Sequence, residues 1–465
     1  MKKTNIIFTF CTAVYLLIAL PVYGQPLAGG GHHSIFLCSD AIVNSVGFNN
    51  SGQLGDGTNN DKSTPIEANN LTGITAVSAG TSHSLFLKNN GTVWGVGHNS
   101  DGQLGDGTTV AKSTPEQISA LSEVSAVAAG FYHSLFLKND GTIWAVGDNG
   151  SGQLGDGIGV DRSTPVEIIG LIEITAIAGG GHHSLFLKSD GTYRAAGLNN
   201  YGQLGDGTTS NKSIAVQVTN FEGVKAVAGG GFHSLFLKED GTVWAVGRNN
   251  HGQLGDGTTD DKSTPVQVSG LSGITEIAAG DNHSLFLKND GTVWATGHNN
   301  YGQLGDGTTI NKSTPFQIPG LSGIITVAGG GNHSLFLKND GTVWAVGWNF
   351  FGQLGDGTIN NKSTPVQIHG VCGITSSIAE NNITPAISVY PNPTAGKFHL
   401  ATSNQYLVKD TQVHIYNVFG KLVYENSFLF GQNQNEVVID LSQQPKGIYF
   451  LEVEGEMGSK KIIVQ

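Results

Sequence analysis

Charge and sulfur are both scarce in this chain. Only 13% of its 465 residues are Asp, Glu, Lys or Arg, and it has two Met and three Cys. With 68 Gly, that composition argues against a helical protein and for a turn-rich all-β one. The net charge of -12 and the absence of a basic tail argue against nonspecific nucleic-acid binding, which depends on Lys and Arg neutralising phosphates. Long apolar runs are also missing, save one. Lys2 and Lys3 precede an apolar stretch from Ile6 to Leu20, and Val22-Tyr23-Gly24 supplies a cleavage site before Gln25. This stretch is shorter than the roughly 20 residues of a spanning helix, so residues 1–24 are expected to be a signal peptide. No later segment could span a bilayer, and export through the periplasm is expected. Loss of Cys11 with the signal leaves Cys38 and Cys372 as the cysteines of the mature chain.

Repetition is what the chain has in abundance. Gly-Gln-Leu-Gly-Asp-Gly begins at Gly52, Gly102, Gly152, Gly202, Gly252, Gly302 and Gly352, a period of fifty residues without insertion or deletion. His-Ser-Leu/Ile-Phe-Leu keeps the same spacing from His33 to His333. Each copy is expected to hold four short strands, in the second copy Ile74 to Ala79, His83 to Lys88, Thr92 to Gly97 and one from Ile118 onward. Asn90-Gly91, Asp-Gly in most copies, is a two-residue hairpin signal because both central positions favour φ > 0. Lys-Ser-Thr-Pro is expected to put its proline at the start of the outermost strand, where a missing N–H costs no ladder bond. Alternation of Leu85 and Leu87, and of Val93, Gly95 and Gly97, reads as faces packed against neighbouring blades. Four strands per copy make one blade per copy.

The pattern V-A-A-G-x-x-H-S-L-F-L-K-x-D-G-T-V-W-x-V-G-x-N-x-x-G-Q-L-G-D-G resembles the regulator of chromosome condensation repeat, over roughly residues 28–379. The resemblance implies an all-β chain with a closed seven-bladed β-propeller over residues 25–380, in agreement with the strand count. The chain enters in mid-repeat at Leu27-Ala28-Gly29 and leaves after a lone first strand, Ile374 to Ala379, expected to complete the first blade. In an intact copy Thr72 faces Lys88 across the first hairpin, and the equivalents at the chain ends are Cys372 and Cys38. A Cys38–Cys372 disulfide joining the ends is therefore expected, worth about 4 to 5 kcal/mol if unstrained.

Periodicity stops after Asn381, so residues 381–386 read as a linker. Residues 387–465 show short alternating strands, such as Val413 with Ile415 and Leu422 with Tyr424, expected to form a small β-sandwich. Tyr390, Pro391, Asn392 and Pro393, with Gly447, Tyr449 and Lys461, resemble the C-terminal sorting domain of the bacterial type IX secretion system. That resemblance implies outer-membrane secretion machinery as a partner, and a product secreted or attached to the outer cell surface.

Repeated polar residues are weak candidates for chemistry. His33 and its six equivalents lie on a ring too wide to share one ion at roughly 2 Å, so hydrogen bonding is expected of them rather than metal binding. Asp56 and its equivalents sit in Gly-Asp-Gly turns without the spacing of a calcium loop. Trp94, Trp144, Trp244, Trp294 and Trp344 share one strand position and are expected to pack between blades. No Ser/His/Asp set, phosphate loop or paired carboxylate stands apart from the repeat, and the strict period leaves no room for an insertion that could act as an exchange factor. No enzyme activity, cofactor or metal is expected, and the chain is expected to be a monomer.

The copies differ mostly at the first-to-second and third-to-fourth connections, which emerge together on one face. The differing residues include Phe48, Phe131, Tyr132, Tyr201, Phe232, Arg248, Tyr301, Trp348, Phe350 and Phe351. Aromatic residues and Arg dominate interface energetics, so this face is the expected binding surface, with Trp348, Phe350 and Phe351 exposed. Three functions follow in order of preference: protein binding, as in secreted β-lactamase inhibitors that share the repeat; carbohydrate adhesion; and hydrolysis.

Overall fold

The computed structural model describes residues 26–371 continuously, then 387–390, 397–402, 410–417, 421–429, 436–453 and 460–464. The signal segment, Cys372, Ile374–Ala379, the linker, Pro391, Asn392 and Pro393 lie outside the described residues. Two compact units divide the chain, Met1–Ser376 and Ser377–Gln465.

The first unit begins with β1 (Leu27–Gly29), β2 (His33–Leu37), β3 (Val43–Gly47), β4 (Lys62–Glu67), β5 (Ile74–Ala79), β6 (His83–Lys88), β7 (Val93–Gly97) and β8 (Lys112–Gln117). These make two antiparallel sheets, β1-β2-β3-β4 and β5-β6-β7-β8, and five more of the same plan follow to give seven blades. Asn90-Gly91 closes the β6–β7 hairpin with Gly91 at φ 75°, a conformation that glycine adopts without strain.

One expectation about strands needs correction. The outermost strand runs over Lys112–Gln117 and ends before Ile118, so Pro115 lies inside it rather than at its start. The ladder shows why this is tolerated. Gly95 pairs with Glu116 and Gly97 with Lys112, which leaves Ser113, Thr114 and Pro115 opposite Val96 alone. Proline thus occupies a bulge, where no ladder bond needs its missing N–H. Along β6 every residue but Lys88 is buried, and the expected packing against neighbouring blades is seen. Leu85 and Leu87 pack toward blade three while Phe86 packs toward blade one, so both faces of a blade are interior. Each pair of adjacent blades shares one such cluster. Leu27, Phe36 and Val46 pack with Leu335, Val343 and Leu354 of blade seven, which closes the ring. The tryptophans of the third strands are half-buried against these clusters.

A second ring, of buried polar side chains, links neighbouring blades. His33 Nε2 is 3.0 Å from Ser84 Oγ, His83 Nε2 is 3.1 Å from Ser134 Oγ, and the series continues until His333 Nε2 meets Ser34 Oγ at 2.9 Å. Each serine hydroxyl donates to a glutamine carbonyl, as Ser84 does to Gln53 O at 2.8 Å. With its one proton committed there, the serine can only accept from histidine, which fixes the neutral tautomer with hydrogen on Nε2. Burial pushes each of the seven histidines down to about 3. The ring also dictates glycine at Gly80 and its equivalents, since a Cβ there would stand 2.2 Å from His83 Cε1.

Asp56 and its equivalents hold the third connection. Asp56 accepts from Thr58 N and Oγ1 and from Asn49 Nδ2, and pairs with Lys62 at 3.2 Å. In the second unit, Ile387–Tyr390, Lys397–Thr402 and Glu436–Asp440 form one sheet, and Asp410–Asn417, Leu422–Leu429, Gly447–Val453 and Lys460–Val464 another. Phe398, Leu400, Val413, Ile415, Ile439 and Leu451 pack in its core, and Tyr449, also buried, donates its hydroxyl hydrogen bond to Pro445 O. Among the described residues no helix is long and apolar enough to cross a membrane.

Candidate binding face

Antiparallel order sends the first-to-second and third-to-fourth connections of every blade to one end of the propeller. One backbone hydrogen bond per blade makes a single surface of them. Phe48 N donates to His32 O at 2.9 Å, Arg248 N to Phe232 O at 2.9 Å, and Trp348 N to Asn332 O at 2.8 Å, with the same bond in the other four blades. The residue three places on is fixed as well: Tyr201, Tyr301 and Phe351 each donate a backbone N–H to Oε1 of the glutamine two residues ahead. Three differing positions per blade are therefore set by identical backbone, and side-chain identity alone separates one blade from the next.

The aromatic residues placed this way collect into two groups. Phe48 stands 4.6 Å from Phe351, ring centre to ring centre, and Trp348 stands 5.6 Å from Phe351 and 5.5 Å from Tyr301. Phe350 meets Phe351 edge-on at 5.0 Å. In the second group Phe131 lies 6.4 Å from both Tyr132 and Phe232, and Tyr201 lies 5.6 Å from Phe232. The Arg248 guanidinium sits over Tyr201 at 5.2 Å and Phe232 at 5.6 Å, within cation–π range. The exposure expected of these residues is corrected in part. Phe350 is 62% exposed, but Trp348 and Phe351 are half-buried because neighbouring loops fold their rings against each other and against His32.

Histidines extend both groups. His32 lies 4.8 Å from Trp348, and His182 lies 5.7 Å from Phe131. His298 contacts Tyr301 at 6.0 Å and His251 at 4.6 Å. Burial lowers the pKa of His32, His251 and His298, with Arg248 adding to the effect at His251 and His251 at His298, so these rings are neutral at pH 7 and behave as aromatic surface. His32 was not legible as a site residue in the sequence. Its signal was there: it occupies in the first blade the place of Tyr132 and Phe232, next to Gly31.

The buried His–Ser pairs invite comparison with a nucleophile and its base. Their geometry contradicts it: each serine proton goes to a carbonyl, both side chains are wholly buried, and the seven histidine Nδ1 atoms have no hydrogen-bonding partner to orient them among the described residues. No group of three or more His, Cys, Asp or Glu among the described residues is placed to hold a metal.

Comparison with family models matches residues 14–277 to the RCC1-like domain, more than half of the chain. Residues 290–337 and 340–380 match the regulator of chromosome condensation (RCC1) repeat, as do 274–303 and 324–353 by a second description of it. Residues 388–465 match the secretion system C-terminal sorting domain. Similar solved structures include human WBSCR16, at 24% identity over 70% of this chain and 93% of that one, with a TM-score of 0.64. Prp20p from Saccharomyces cerevisiae, described with its binding to Gsp1p and histones, shows 22% identity over 79% and 89%, with a TM-score of 0.63. A structure of Kap60 bound to yeast RCC1 (Prp20) is similar at 21% identity over 80% and 88%, also with a TM-score of 0.63. At these identities the likeness concerns the fold. The chain has no match among curated proteins.

Proposed function

Because the chain belongs to the RCC1-like domain family and ends in a secretion sorting domain, we propose that it is an exported scaffold whose aromatic face binds a protein partner. One observation carries this reading: on a frame repeated sevenfold, the differing side chains gather on one face as two groups of touching aromatic rings extended by histidines and Arg248. Drift at tolerant positions would scatter residue types, whereas aromatic residues and Arg are those that anchor protein interfaces. The yeast relative is described with protein partners, which supports the class of ligand without naming one. The residues resembling a sorting motif, Tyr390, Gly447, Tyr449 and Lys461 among them, are proposed to engage outer-membrane secretion machinery and to place the product outside the cell.

The test presents immobilised propeller to secreted and surface proteins of its own culture, with a glycan array in parallel. Wild type is expected to retain a defined protein. Trp348→Ala with Phe351→Ala is expected to weaken that retention by at least about thirtyfold, since central aromatic anchors are worth about 2 kcal/mol or more. Unchanged retention by the double variant, or glycan binding in place of protein binding, would contradict the proposal.

A further inference from the structure

The seven innermost strands enclose a channel of about 260 Å³ along the propeller axis. Small and apolar residues line it, with two exceptions, Glu276 and Asp281, both from blade six. No Lys, Arg or His lines it among the described residues. The fold does not require either acid. At the place of Glu276 the other blades carry Pro26, Ala76, Ala126, Ala176, Ala226 and Thr326, and at that of Asp281 they carry Gly31, Thr81, Phe131, Gly181, Gly231 and Gly331.

Glu276 lies within the inner strand of blade six, Ile274–Ala279, and Asp281 in the connection just past its end. Five residues separate the two, an upper bound of about 16 Å between their backbones at roughly 3.3 Å per residue. At the mouth, backbone groups are occupied by one another from blade to blade: Gly31 N donates to Gly80 O at 3.1 Å, Asp281 N to Gly331 O at 3.2 Å, and Gly331 N to Gly30 O at 3.0 Å. Among the described residues no hydrogen bond or ion pair engages the carboxylate of Asp281, a half-buried residue of the channel wall. Glu276 Oε1 accepts from Thr326 Oγ1 at 2.7 Å and Val327 N at 3.3 Å, and no cation accompanies it in the channel lining. Enclosure raises Asp281 to about 6 and Glu276 to about 7, the direction expected of acids that lack a positive partner. A half-buried carboxylate without a cation beside it is costly, and six blades show that this cost is avoidable.

We propose that the channel is a binding site for a linear aliphatic amine with a cationic group at each end, Asp281 receiving one end and Glu276 the other. Ala, Gly and Val of the wall accommodate the methylene stem between them. The channel opens onto the aromatic face, since Asp281 lies in a first-to-second connection and Phe131 lines the channel, but the amine site does not depend on which partner that face takes.

Calorimetric titration of the mature protein with α,ω-diaminoalkanes from 1,4-diaminobutane to 1,12-diaminododecane tests this, with monoamines of matched length as controls. Affinity is expected to rise with length, peak where the ammonium groups reach both acids, and fall beyond. Asp281→Gly and Glu276→Ala, residues that other blades already carry there, are each expected to bring the best diamine at least tenfold down, to the level of its monoamine. Absence of binding, affinity without length dependence, or unchanged affinity in folded Asp281→Gly would overturn the proposal.

Discussion

Lowering the pH from 7.5 toward 4 is expected to unfold the propeller cooperatively, with an equilibrium urea midpoint that falls steeply below pH 6.5. The cause is the histidine ring. Each of its seven members is held near 3 by burial, while an unfolded histidine takes a proton near 6.5. Between those values the unfolded chain binds more protons than the folded one, so stability is full above pH 6.5 and is lost as pH falls. Glu276 and Asp281 act in the opposite sense, because their folded values are raised and they keep protons that the unfolded chain releases. At pH 5 the histidines outweigh the two acids, for a net difference of about five protons and a slope of about 7 kcal/mol per pH unit. A domain stable by roughly 5–15 kcal/mol cannot withstand that for more than about two pH units. A urea midpoint that stays flat from pH 7 to pH 5 would show that the histidines are not neutral and buried as described.

Reducing agent is expected to lower the thermal midpoint of the mature protein by roughly 6 °C, given about 4 to 5 kcal/mol for a long closed loop and the unfolding entropy of a domain this size. The prediction rests on the proposed Cys38–Cys372 bridge. Cys38 is buried at the end of β2, with Sγ 3.7 Å from Asn44 Oδ1. The short β1 takes the places facing Ser34, Ile35 and Phe36, and its pairing stops short of Cys38. The proposed bridge would tie the C-terminal end of the propeller to blade one, and a covalent link there would keep the ring from opening. Cys38→Ser with Cys372→Ser should show the lowered midpoint with or without reductant. Two free thiols titrating in the unreduced protein would remove the bridge from the account.

The sequence made the propeller legible because its signals are local and repeated. Glycine turns such as Asn90-Gly91 and the recurring His-Ser-Leu-Phe-Leu segment place the three inner strands to within a residue, since hairpin chemistry and strand length decide them. The outer strand was misplaced because proline in Lys-Ser-Thr-Pro reads as a strand boundary, while the ladder absorbs it as a bulge opposite Val96. The differing face was legible as a set of positions but not as a surface. Whether Trp348 is exposed depends on His32 and Phe351, which are distant in sequence and meet it only after the ring closes. Glu276 was missed for a related reason: an acid in an otherwise apolar strand acquires meaning only when the strand is known to line a channel without a cation.

That one face of the propeller binds a protein is the central claim, and amide hydrogen exchange of the propeller with its captured partner tests it most directly. Protection is predicted at the connections carrying Phe48, Tyr132, Phe232, Arg248, Tyr301 and Trp348, with the Asn-Asp-Gly hairpins of the opposite end unchanged. Protection confined to those hairpins, or spread evenly around the outer strands, would contradict the account.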